Sequence, residues 1–77
     1  MSKQYPTPET SLKAVVKLLA RPCLDDTGRK ALLHRYVDLS RQLRVLRVSE
    51  WEVARGLVED WHGTPDELIV TARELTK

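Results

Sequence analysis

Apolar residues fall along this chain in four groups, each with helical spacing. Leu12, Val15, Val16 and Leu19 sit at i, i+3, i+4 and i+7, positions that share one face of a helix. Leu32, Tyr36, Leu39, Leu43 and Leu46 follow at intervals of four, three, four and three, a heptad seam two repeats long. Trp51, Ala54, Leu57, Val58 and Trp61 make a third stripe, and Leu68, Ala72 and Leu75 a fourth. No segment alternates with the two-residue period of a strand. The pattern predicts an all-α fold, a small bundle of four helices near 8–20, 26–47, 50–62 and 65–76, the second being longest.

Polar punctuation sets these limits. Thr7-Pro8 offers an N-cap followed by proline at the first helical position, where its missing N–H costs nothing. Arg21-Pro22 stops the first helix, because the residue before a proline avoids the helical region. Asp25, Asp26 or Thr27 can cap the second helix, with Gly28 a mild cost inside it. Ser49 with Glu52, and Thr64 with Glu67, have the spacing of capping boxes. The first of these predicts a break after the long helix. His62-Gly63 closes the third helix, glycine being able to adopt the left-handed C-terminal conformation. Residues 1–6 read as a flexible tail and 7–77 as a single helical domain.

With 77 residues, the chain hides only about 60% of its unfolded surface on folding, so its core is marginal. Small domains commonly need disulfides, a metal, close helix packing or a partner. Cys23 is the only cysteine, which excludes an internal disulfide and fits a reducing cytoplasm. No metal site is expected, since Cys23, His34 and His62 show no paired ligand spacing. The start, "MSKQYPTPET", has one lysine and no apolar stretch, unlike a signal peptide. No apolar run approaches the ~20 residues a membrane span needs. Net charge is +2, yet unevenly spread: +2 over residues 1–20, +4 over 21–48 and −4 over 49–77. The two halves can attract each other within one fold or form an exposed bipolar surface.

Catalysis finds little support, and no cofactor is expected. Asp25 and Asp26 lie near Cys23 and oppose thiolate formation. His34 reads as a solvated histidine and His62 as a helix-end residue. Gly28, Gly56 and Gly63 are too scattered for a phosphate loop, and the fold looks too small to enclose a pocket of several hundred Å³. The third and fourth helices have the outline of a helix-turn-helix, but the recognition helix would lead with Asp66 and Glu67 and repel phosphate. Nucleic acid could instead meet Lys30, Arg41, Arg44 and Arg47 on the back of the second helix, with salt-dependent, weakly specific contacts.

Protein contact is the leading expectation. Trp51 and Trp61 are expected inside, because the chain has no phenylalanine. Val37, Val45 and Val48 lie off the heptad seam and Val70 off the fourth stripe, so they are the expected partner interface. The simpler reading of the seam itself is the intramolecular core. The chain reads as a small non-catalytic helical regulator or adaptor, binding another protein or itself as a homodimer. A nucleic-acid-binding regulator is the alternative. Chains this small and plain are common among accessory proteins of phages, plasmids and bacterial operons, a background expectation that no residue here carries.

Overall fold

The computed structural model describes residues 7–77; the tail expected at 1–6 lies outside the described residues. Four helices follow in order: α1 Pro8–Leu19, α2 Asp26–Gln42, α3 Val48–Val58 and α4 Pro65–Leu75. No strand occurs among the described residues. Three expected caps are formed. Thr7 Oγ1 accepts the Thr10 N–H at 3.2 Å, Asp25 Oδ1 accepts the Gly28 N–H at 2.7 Å, and Thr64 Oγ1 accepts the Glu67 N–H at 3.2 Å. Each removes an orphan donor at a helix start. A Cβ on Gly28 would come within 2.8 Å of Asp25 Oδ1, so glycine gives the capping carboxylate room to close.

The second helix departs most from expectation. It ends at Gln42, about five residues early. Arg44 takes φ 62°, in the left-handed region. The Val45 N–H then turns back to the Ser40 carbonyl at 2.8 Å, and the Leu46 N–H reaches the same oxygen at 3.2 Å. This is the Schellman closure usually built on glycine, with an arginine in the glycine place. The local periodicity masked it. Leu46 continues the heptad count, but it enters the core from the turn and not from the helix. The next helix therefore starts at Val48, and half a box forms two residues earlier than expected: Glu50 Oε1 accepts the Arg47 N–H at 2.7 Å, while the Arg47 side chain, a donor only, cannot return the bond. Ser49 and Glu52 do not make the box. At its other end α3 stops at Val58, four residues before the expected limit. The Asp60 and Trp61 N–H groups bond back to Leu57 and Val58 in tighter turns.

The core centres on α2. Leu33, Tyr36, Val37, Leu39 and Ser40 are buried there. Around them lie Val15 of α1, Ala54 and Val58 of α3, Leu68, Ile69 and Ala72 of α4, and Leu46 from the turn. Fully hiding a leucine or valine of this set stabilises the fold by about 1.5–3 kcal/mol. The heptad seam is thus intramolecular, with Tyr36, Leu39 and Leu46 buried and Leu32 packed against the core. Val37 overturns its assignment as a partner contact: it is 0% exposed. It sits one position after Tyr36, so it shares the broad inner face of a helix enclosed on several sides. Ser40, the one buried polar side chain among the described residues, donates to the Tyr36 carbonyl at 2.9 Å. α1 packs chiefly on α2, while α3 and α4 pair with each other and α3 also packs against α2. The backbone spans 46 × 31 × 15 Å, thin for elements about 10 Å across, so many helix faces stay uncovered.

Candidate interaction surface

Trp51 stands where α3 meets the last turn of α2. Its ring is half-buried against the core, and its Nε1–H donates to Asp38 Oδ1 at 2.8 Å. The Arg41 guanidinium carbon lies 4.9 Å from the ring centroid and that of Arg55 lies 5.0 Å away. Both distances are within cation–π range. Helical spacing positions these groups: Asp38 and Arg41 are three apart on α2, Trp51 and Arg55 four apart on α3. Val48, one turn before Trp51, is 53% exposed. No carboxylate forms an ion pair with Arg41 or Arg55 among the described residues. A partly buried indole thus carries two arginines that form no ion pair among the described residues, beside an open valine. Both tryptophans sit at the margin of the core rather than inside it. Trp61 resembles Trp51 in this, its Nε1–H donating to the Thr64 carbonyl at 2.9 Å.

The four expected nucleic-acid contacts do not form one face. Lys30 is engaged with Asp26 at 3.6 Å and Glu59 at 3.8 Å, about 16 Å along the helix from Arg41. Arg44 lies in the left-handed turn and Arg47 precedes α3 as its N-cap, so neither is on α2. Arg55 belongs to the acidic half of the chain, where a count of charges hides it; its i, i+4 relation to Trp51 is the sequence signal that marks it. His34, expected in solvent, is half-buried, with Nε2 3.6 Å from Glu59 Oε1. The basic α2 and acidic α3 therefore attract each other within one chain, through Glu59. His62 Nδ1 lies 3.3 Å from an Arg29 nitrogen, and Cys23 is exposed.

Of the expected valines, Val45 is 39% and Val70 54% exposed. Arg73 links their neighbourhoods: its guanidinium donates to the Val45 carbonyl at 2.7 Å, and Val70 is one turn earlier on α4. An open cavity of about 460 Å³ lies between the end of α1 and the α3–α4 turn. Val16, Leu19, Ala20, His62, Pro65 and Glu67 line most of it. It is a groove and does not enclose a ligand.

The most perturbed group is structural. Tyr36 donates from its hydroxyl to Asp66 Oδ1 at 3.0 Å, joining α2 to α4. Burial, then the hydrogen bond and the charge of Asp66, push its phenol up to about 12. Removing its proton would set two negative charges side by side. Among the described residues, no three of His, Cys, Asp and Glu come together as a metal would require, and no helix is long and apolar enough to cross a membrane. Comparison with protein-family models, curated proteins and solved structures finds no match to this chain.

Proposed function

We propose that this protein is a small non-catalytic regulator or adaptor that works by docking another protein onto the Trp51 surface. One observation carries the reading: Arg41 and Arg55 both lie about 5 Å from the partly buried ring of Trp51, with no carboxylate pairing them among the described residues. Tryptophan and arginine dominate the energetic centres of protein interfaces, and arginine stacked on an aromatic ring is held ready to fork onto a carboxylate. The partner that fits is a segment carrying acidic side chains beside apolar ones, the apolar part meeting Val48 and the indole edge. A reducing cytoplasm is the proposed compartment, supported by the lone exposed thiol of Cys23.

Capture from nuclease-treated extract of the source organism tests this. The unmodified chain is expected to retain a specific protein, and Arg41→Gln/Arg55→Gln to lose it by about tenfold or more, each lost charged contact costing about 1.5–3 kcal/mol. Equal retention by both baits would sink the reading. The alternative, a nucleic-acid-binding regulator, draws support from Arg41, Arg44 and Arg47, which also lack ion pairs among the described residues. It requires mobility shifts at low salt that fade steeply as salt rises.

A further inference from the structure

A second uncovered surface lies on the outside of α4. Counting 100° per residue, Glu67, Val70 and Glu74 fall within an arc of about 60° on that helix. All three are exposed, Val70 at 54%. The stripe is an apolar centre flanked by acids. The turn between α2 and α3 is its opposite: Arg44, Val45 and Arg47 are exposed there, and residues 41–48 contain no acidic side chain. Arg73 holds the Val70–Glu74 part of the stripe beside the turn, since it rises from α4 and donates to the Val45 carbonyl at 2.7 Å; Glu67, one turn before Val70, extends the stripe toward the groove it also lines.

We propose that a second copy of this chain covers both surfaces, the acid–valine stripe of each protomer lying on the arginine–valine turn of the other. Adjacency is what makes the pairing close. A two-fold axis passing between neighbouring patches lets stripe meet turn twice in one contact, whereas complementary patches on opposite ends would build an open filament. Valine against valine supplies apolar burial, and the charges set orientation and encounter rate. Few competing contacts stand in the way. Glu74 has one partner, Lys77 at 3.4 Å, and both side chains of that pair are largely exposed. Glu67 forms no ion pair among the described residues. The dimer also answers a deficiency of the thin bundle, whose outer α4 face has no covering layer in a single chain. The dimer contact adjoins the Trp51 surface at Arg47–Val48 but uses none of Arg41, Val48, Trp51 or Arg55, so the two are tested by different substitutions.

Sedimentation equilibrium at about 100 µM chain, where a micromolar dimer is well populated, is the deciding measurement. The unmodified protein should show the mass of two chains. Arg44→Glu/Arg47→Glu makes the turn acidic and should give a single chain. Glu67→Arg/Glu74→Arg makes the stripe basic and should do the same. Mixed in equal amounts, the two variants should recover the mass of two chains, because every charge then meets its opposite in the heterodimer. A variant that fails to fold shows itself by lost helical circular dichroism. Val70→Arg, which leaves the caps untouched, then serves in its place and should also yield one chain. Arg41→Gln/Arg55→Gln should keep the mass of two. A one-chain mass for the unmodified protein overturns the proposal and leaves both patches to a foreign partner. Two-chain masses for the charge-reversed variants, or no recovery on mixing them, overturn it as well.

Discussion

Removing the hydroxyl of Tyr36 gives a test in which sign and size both follow from the structure. In the folded chain this phenol is raised from 10.0 to about 12, through burial first and Asp66 second. Folding therefore retains a proton that the unfolded chain gives up, and only between those two values. The stabilisation is complete below pH 10 and is lost as pH rises toward 12. Two pH units at about 1.4 kcal/mol each set a ceiling of about 2.7 kcal/mol. The ring itself is enclosed, 7% exposed, but the hydroxyl ends on the exposed Asp66, where solvent screens the charge. About 1–1.5 kcal/mol is the discounted expectation, a sizeable share of the roughly 4–11 kcal/mol a chain of this length can hold. Urea unfolding of the unmodified protein and of Tyr36→Phe, at intervals from pH 8 to pH 12, provides the assay. Lysine titration affects both proteins alike and cancels in the difference. Below pH 10 the unmodified protein should be more stable by a constant margin, and that margin should shrink between pH 10 and 12. Phenolate absorbance in Tyr5→Phe, where Tyr36 is the only remaining phenol, should rise near the upper value. A midpoint near 10, or a stability difference that stays flat up to pH 12, would refute the reasoning.

Two further predictions concern the fold. Leu68→Ala empties a site that is 0% exposed and should cost about 2–5 kcal/mol, lowering the melting temperature by roughly 10–25 °C; Leu75→Ala, at 62% exposure, should stay within about 0.5 kcal/mol, and equal shifts would contradict the core described. Arg44→Gly should relieve a left-handed strain of about 1–2 kcal/mol while adding about 0.5–1 kcal/mol of unfolded-state entropy, a net gain of about 0.5–1 kcal/mol by urea midpoint in dilute, monomeric protein; a loss of stability would show that the turn is not strained there.

The sequence by itself determined where three helices begin, because a cap needs only residues three apart: Thr7, Asp25 and Thr64 all close on their own helices. It located only part of the inner faces of α1 and α4: Val15, Leu68 and Ala72 of the expected stripes are buried, but Val16 is 45% and Leu75 62% exposed, while Ile69, outside the fourth stripe, turns inward. Tertiary structure decided the end of α2. Nothing local distinguishes Arg44 from a helical arginine; the closure around it is favoured because it delivers Leu46 into the core, 3% exposed. The same contact moved the start of α3, so that Glu50 accepts the Arg47 N–H and the Ser49–Glu52 box does not form. Packing on several sides of α2 drew Val37 inside, a burial that a helical wheel with one inner face assigns to the surface. The candidate surface was legible only in fragments. Arg41 and Arg55 stand on helices that differ in charge, and only the α2–α3 corner brings both onto one tryptophan ring. Arg73, in the acidic half, showed no sign of its role until α4 lay beside Val45, because contacts between residues 28 apart depend on how helices dock and leave no periodic trace.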